Sequence, residues 1–203
     1  MLKPAAKWRP IEQATMAYGH GLSVSLLQLA RAYTIFTNDG QLLPLALTKR
    51  DAGGPRSEGA NILPIGKPVI TRQTARSLTR MMEMAVLPGG TAPRAQVPGY
   101  RVAGKTGTAH KPEAGTYAEH KYVSSFVGFG PVTDPRFIVA VMIDEPAGAK
   151  YYGGDVGAPV FSAVMGAALR IMSVTPDAPQ TLANRPGAAG ESQATAPAKK
   201  VAG

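Results

Sequence analysis

VAGKTGTA, residues 102–109, is the stretch whose conformation decides the fold. As a loop opening a helix it would make a nucleotide-binding chain, because Gly99, Gly104, Lys105 and Thr106 fit the spacing G-x-x-x-x-G-K-[ST]. Such a loop must follow a buried strand and run straight into a helix whose first amides hold the phosphates. Here residues 95–98, AQVP, are too short and broken for that strand, and Gly107 and Pro112 oppose a helix downstream. Tyr100, Arg101, Val102 and Ala103 instead begin a strand that carries Lys105-Thr106-Gly107-Thr108. Nucleotide binding is therefore not expected.

The segments around it agree with a sheet. Strand-like runs occupy residues 100–109, 122–130 and 137–143, and the tight TDPR connection at 133–136 joins the last two as an antiparallel hairpin. Residues 22–38 place Leu26, Leu29, Ala30, Tyr33 and Thr37 at helical spacing, with Ser23 or Ser25 to cap and Gly40 to stop. Thr71 caps a second helix with Ala75, Leu78, Met82 and Ala85 as its buried stripe and Met81, Met82 and Met84 as core filler. Gly89, Gly90 and Thr91 make the turn that ends it. A last helix follows Gly153 and Gly154, with Asp155 as cap, Pro159 in the tolerated first turn, and Phe161, Val164, Met165, Ala168, Leu169 and Met172 on one face. Residues 49–68, rich in Gly, Pro and charge, form a surface excursion with a short strand near 61–65. Helix, loop, helix, three strands and helix make an α+β fold: an antiparallel sheet flanked by helices, not a β-α-β repeat.

Composition bounds the rest. At 203 residues and 44% apolar, the chain can bury one sizeable core. Residues 174–203 hold eight Ala, four Pro, three Gly and no aromatic, which predicts a disordered tail beyond a folded unit of residues 1–173. The tail carries three bases and two acids, so of the formal charge of +9 the folded part keeps +8. That charge implies an anionic ligand but no basic nucleic-acid-binding arm. The absence of cysteine excludes disulfides and thiolate metal sites and suits either redox compartment. No segment reads as a signal peptide or membrane anchor, and the opening residues around Trp8 have the character of a cut end.

Chemistry concentrates at residues 105–108. An edge strand offers backbone groups to an extended peptide, Gly107 removes a side chain where a substrate must lie close, and a lysine with two hydroxyls can hold a carboxylate. K-T-G is also one of the three motifs of serine acyl-transfer sites in penicillin-binding proteins and β-lactamases. Around it, the stretches at 8–40 (WRPIEQATMAYGHGLSVSLLQLARAYTIFTNDG), 88–111 (PGGTAPRAQVPGYRVAGKTGTAHK), 124–146 (SSFVGFGPVTDPRFIVAVMIDEP) and 151–165 (YYGGDVGAPVFSAVM) resemble the C-terminal half of class B penicillin-binding transpeptidase domains. They look most like the septal peptidoglycan transpeptidases of Gram-negative bacteria.

The resemblance implies the penicillin-binding transpeptidase or serine β-lactamase-like fold and a D,D-transpeptidase that cross-links stem peptides ending in D-Ala-D-Ala and is acylated by β-lactams. It implies no cofactor. Lys105 would contribute charge and orientation, Thr106 and Thr108 would bind the terminal carboxylate, and the Thr108 N–H would be one of two oxyanion donors. Tyr151 and Tyr152, followed by Gly153 and Gly154, match an aromatic segment beside the cleft and would form its wall, although simple packing of the rings is an equal alternative. The parent would be anchored in the inner membrane, face the periplasm and meet divisome membrane proteins.

The chain also departs from the pattern. None of Ser23, Ser25, Ser57, Ser77, Ser124, Ser125, Ser162, Ser173 and Ser192 begins S-x-x-K or S-x-N, so the nucleophile, its lysine and the second oxyanion donor are missing. This agrees with a polypeptide that begins inside the transpeptidase domain. The chain alone is then expected to be inactive, with an exposed sheet edge and exposed apolar faces. A non-catalytic module that binds cell-wall peptide or a division partner is the alternative. His110 stands where many relatives carry a longer basic side chain and is read as solvated. His20, His110 and His120 have no metal-ligand spacing. Asp144 and Glu145 are adjacent in a strand and point to opposite faces, which argues against an acid–base dyad.

Overall fold

The computed structural model describes residues 4–16, 19, 22–46, 66–113 and 116–178. The elements are α1 (Pro10–Met16), α2 (Leu26–Thr37), β1 (Gln41–Leu42), β2 (Lys67–Pro68), α3 (Arg72–Met84), β3 (Ala103–Glu113), β4 (Thr116–Gly130), β5 (Phe137–Asp144) and α4 (Gly153–Ile171). The short strand expected at 61–65 lies outside the described residues. The two-residue strands β1 and β2 pair antiparallel. The main sheet has the order β3-β4-β5, antiparallel throughout, so K-T-G-T is strand and no helix opens after Thr106.

Both main helices of the first half start at their side-chain caps. Ser25, not Ser23, begins α2: its hydroxyl accepts the Gln28 N–H at 3.2 Å while the Gln28 amide oxygen accepts the Ser25 N–H at 2.8 Å. Thr71 caps α3 by accepting the Thr74 N–H at 3.1 Å. α4 differs from expectation. Its N-cap is Tyr152, without a side-chain cap, and Asp155 lies inside the first turn.

Alternation along the strands divides the core in two. Phe126, Val139 and Val141 face α4 and pack with Phe161, Met165 and Leu169. Ala103, Val127, Phe129, Ile138 and Ala140 face the other way, onto Leu29, Tyr33 and Phe36 of α2 and Met82 of α3. The buried stripe of α4 is therefore Phe161, Met165 and Leu169, whereas Val164 and Met172 are 47% and 60% exposed. Met81 and Met84 are exposed too, because only the Ala75, Leu78 and Met82 side of α3 meets the sheet. Leu22, Val24, Leu26 and Leu27, around the start of α2, also stand in solvent.

The C-terminal segment is docked further than composition suggests. The Tyr100 hydroxyl donates to the Val174 carbonyl at 2.6 Å. The Asp177 carboxylate accepts the Arg101 N–H at 2.7 Å and both the N–H and hydroxyl of Thr133 at 3.2 and 2.9 Å. The Ala178 N–H donates to Gly99 O at 3.1 Å. The Gly99 carbonyl and the Arg101 N–H are taken up by these bonds, and the Tyr100 N–H donates to Val97, so β3 begins at Ala103 and not at Tyr100. Residues 179–203 lie outside the described residues. Asp177→Ala is expected to lower the stability of the chain by about 1–3 kcal/mol, the usual effect of stranding charge-assisted bonds. A urea midpoint identical to that of the parent chain would refute this clamp.

Burial between α2 and the sheet pushes the Tyr33 phenol up to about 12 from 10.0. The folded state favours the neutral phenol, and the unfolded chain ionises first. This contribution is intact below pH 10 and is lost as pH rises from 10 towards 12, amounting to about 2–3 kcal/mol. Tyr33→Phe should remove that part of the alkaline loss, measured as the difference in urea midpoints between the two chains across this pH window.

Candidate active site

The site forms where the first turn of α4 meets β3. Thr108 lies opposite Ser124 of β4, and Thr106 opposite Phe126, so both threonines share the face of the sheet that α4 covers. Lys105 and Gly107 lie on the opposite face. The α4 terminus can approach this closely because Gly153 and Gly154 have no side chains: a Cβ at 153 would overlap the carbonyls of Ser125 and Gly107, and one at 154 would overlap the carbonyl of Thr91. The Gly153 N–H donates to the Thr108 hydroxyl at 3.1 Å. Thr108 is an exposed residue, and its hydroxyl, accepting that N–H, keeps its own proton to donate.

A cleft of about 390 Å³ opens at this junction, lined by Thr91, Pro93 and Arg94 on one side, Thr106 and Thr108 on the second, and Tyr152 to Asp155 on the third. Thr106, Thr108 and Tyr152 thus come together. Lys105, Gly107 and Tyr151 do not line it. The Lys105 ammonium is exposed and donates to the Thr106 carbonyl at 2.8 Å. Arg94 enters from a short 3₁₀ turn, Pro93–Ala95, and its Nη1 donates to the Asp155 carbonyl at 2.9 Å.

Tyr151 belongs to an aromatic row. Its ring stacks on Tyr122 with centroids 4.0 Å apart and planes 11° apart, Tyr122 meets His110 at 4.6 Å, and Tyr151 meets Tyr152 at 4.4 Å. The two phenols are bonded at 3.2 Å, and that bond raises the Tyr152 pKa. His110, exposed, is therefore part of this row and not an isolated solvated side chain. The row is anchored from below: Ser124, fully buried, donates its hydroxyl to the Tyr151 carbonyl.

Sequence reasoning missed Arg94, Thr91, Tyr122 and Ser124. Tyr122 and Ser124 were findable, since alternation puts them beside His110 and Thr108 once β3 and β4 pair. Arg94 carried no local signal, because its partner is 61 residues away. Asp144 and Glu145 correct the alternation argument. Glu145 leaves the strand with φ of 50°, and both carboxylates reach Lys111, at 3.0 Å and 2.7 Å. They hold an ammonium between them, and hydrogen bonds to Glu145 and then Asp144 raise the Lys111 pKa.

Residues 2–166 match the family described as Penicillin binding protein transpeptidase domain. The chain belongs to that family. Among its relatives, the probable peptidoglycan D,D-transpeptidase PenA of Neisseria gonorrhoeae is 46% identical over 183 residues, covering 90% of this chain and 30% of that protein. The peptidoglycan D,D-transpeptidase FtsI of Escherichia coli K12 is 42% identical over 172 residues, covering 85% and 28%. Among solved structures, the apo transpeptidase domain of Burkholderia pseudomallei penicillin-binding protein 3 superposes with a TM-score of 0.77 at 49% identity, covering 88% of this chain and 52% of that one. The chain thus spans about a third of the curated relatives that it matches. The α+β fold with its antiparallel sheet is that of the transpeptidase family.

Ser124→Ala keeps the strand but strands the Tyr151 carbonyl, at an expected cost of about 1–3 kcal/mol. The stacked tyrosines should lose order with it, read as a weakened near-ultraviolet circular dichroism band. An unaltered tyrosine band would show that Ser124 does not anchor the row.

Proposed function

We propose that this chain carries the carboxylate-binding and oxyanion side of a peptidoglycan D,D-transpeptidase that cross-links stem peptides at the division septum. The observation that carries the reading is the placement of Thr106 and Thr108 on an edge strand, both facing one cleft, with the Thr108 hydroxyl polarised by a helix-terminal N–H. The names of the PenA and FtsI relatives, peptidoglycan D,D-transpeptidases, support the reaction.

A donor peptide ending in D-Ala-D-Ala lies along the open edge of β3, antiparallel pairing supplying its backbone bonds. The two threonine hydroxyls donate to the terminal carboxylate, and Lys105 adds positive charge from the other face. The Thr108 N–H donates to the oxygen that becomes anionic when the penultimate carbonyl is attacked, a contact whose loss typically costs about a hundredfold to a thousandfold in rate. Gly107 keeps the strand surface clear, and Tyr151 and Tyr152 wall the site. β-Lactams follow the same path. No metal or cofactor is needed for serine acyl transfer.

The attacking serine is not among these 203 residues, which contain neither S-x-x-K nor S-x-N. The reading therefore assigns the nucleophile to a part of the domain outside them, and the chain alone neither turns over substrate nor accepts penicillin. In the whole protein, the catalytic domain faces the periplasm from an inner-membrane anchor and meets divisome membrane proteins. Among the described residues no helix is long and apolar enough to cross a membrane. The missing serine motif also favours a second reading, a non-catalytic module that binds cell-wall peptide or a division partner.

Intact mass spectrometry after incubation with benzylpenicillin should show no adduct on this chain. A protein extended upstream in its own reading frame to include an S-x-x-K should be acylated. Thr108→Val in that longer protein should slow acylation roughly tenfold to a hundredfold, as for a lost bond to a charged group. An adduct on the 203-residue chain would overturn its inactivity, and an extended frame without S-x-x-K would favour the binding module.

A further inference from the structure

The β3–β4 hairpin outruns the rest of the main sheet. Ladder pairs between β4 and β5 stop at Val123 and Asp144, and one further bond, from the Glu145 N–H to the Tyr122 carbonyl at 2.9 Å, ends the contact. Between β3 and β4 the pairing continues as far as Glu113 and Thr116, but only after a bulge. His110 pairs with Tyr122 and Pro112 with Tyr117, so residues 118–121 stand opposite Lys111 alone. His120, within that bulge, has φ of 62°. The sheet therefore has a joint at Lys111, where the support of β5 and the regular register of β4 end together.

Lys111 is tied back across this joint. By alternation it lies on the face of Lys105 and Gly107, and its ammonium crosses β4 to reach the Asp144 carboxylate at 3.0 Å and the Glu145 carboxylate at 2.7 Å. Adjacent residues of a regular strand would point to opposite faces. Both carboxylates meet one ammonium because Glu145 turns with φ of 50°, a left-handed conformation that is costly for a residue with a side chain and persists only where its surroundings enforce it. The side chains of Lys111, Asp144 and Glu145 are 30%, 56% and 48% exposed, so water screens their attraction and little global stability is expected from it. A left-handed residue and two carboxylates on one cation are more than a solvated ion pair requires. What they supply is a fixed direction for β3 as it leaves the sheet.

We propose that Lys111 is a positioning residue: clamped by Asp144 and Glu145, it holds the outer end of β3 in line and keeps that edge set for the donor peptide. The inference rests on the transpeptidase reading above and adds to it a residue that touches no substrate. The path to the site is short. His110 adjoins Lys111 and meets the ring of Tyr122 at 4.6 Å, and Tyr122 stacks at 4.0 Å on Tyr151, the residue before the N-cap of α4. Thr108 lies two residues before His110, on the same face of β3. Released at the bulge, β3 would be free to bend beyond Ala109, and an extended peptide would have to order that edge as it bound. The Thr108 N–H lies inside the regular ladder, opposite Ser124, and keeps its place. The clamp thus acts on binding and not on the acyl-transfer step.

The test uses the protein extended upstream to include an S-x-x-K, and reads how its acylation rate depends on benzylpenicillin concentration. Lys111→Met should raise the half-saturating concentration by about threefold to tenfold, the scale of one hydrogen bond, and leave the limiting rate and the urea midpoint unchanged. Lys111→Arg, which keeps a cation, should restore most of the loss. Asp144→Asn combined with Glu145→Asn should reproduce Lys111→Met, asparagine tolerating the left-handed backbone at 145, and adding Lys111→Met to that pair should change nothing more. The proposal is overturned if Lys111→Met leaves the half-saturating concentration where it was, or if the limiting rate falls in its place. It is overturned equally if the loss comes with a lowered urea midpoint, the mark of a bond that only stabilises. Either result in a parent protein that benzylpenicillin acylates leaves the transpeptidase reading standing. A parent protein that is not acylated removes that reading and the positioning role with it.

Discussion

Everything at the site depends on how closely the start of α4 approaches the sheet. Position 153 sits against the carbonyls of Gly107 and Ser125, on two different strands, at a separation that no side chain would permit. Only glycine lets the helix enter there. Once it has, the Gly153 N–H lies over the Thr108 hydroxyl, the Tyr151 carbonyl lies over Ser124, and the Asp155 carbonyl lies within reach of Arg94. Three segments distant in sequence are locked at one junction by three hydrogen bonds. The positive end of the helix dipole is thereby directed at the strand proposed to hold a carboxylate.

The same junction explains what could and could not be read from the sequence. Strand β3 was legible because Gly107 and Pro112 forbid the helix that a phosphate loop needs, a purely local argument. The caps of α2 and α3 are local as well, and the Ser25-x-x-Gln28 box could have decided between Ser23 and Ser25. Thr106 and Thr108 were found through the K-T-G motif and the family resemblance it carries, and the register of β3 with β4 then puts them on one face. Their partners were not, because Gly153 is 45 residues from Thr108 and Asp155 is 61 from Arg94. Asp155 looks like a cap by composition, whereas the backbone is already helical two residues before it.

Composition misled most where main-chain groups do the binding. Residues 174–178, VTPDA, read as the start of a tail from the composition of the segment that they open, yet Val174 packs against the core. They are held by Asp177 accepting N–H groups of Arg101 and Thr133, and by Tyr100 reaching the Val174 carbonyl. None of those partners is visible in a residue count. The methionines of α3 show the converse: the apolar side chains at 81 and 84 are in solvent because they fall outside the Ala75, Leu78 and Met82 face that meets the sheet.

Net charge narrows in meaning when each cation is followed to its partner. Arg101 is bidentate on Glu83, Lys111 sits between Asp144 and Glu145, and Arg72 and Arg76 share Asp39. A base already facing a carboxylate has most of its field cancelled locally and offers little to an incoming anion. Lys105 and Arg94 are bonded instead to main-chain carbonyls, those of Thr106 and Asp155. A carbonyl orients a cation without discharging it. The two bases that flank the K-T-G-T threonines are thus held in place with their charge intact, one from each face of the strand. That arrangement, more than the total of +9, underlies the proposal that this edge receives an anion.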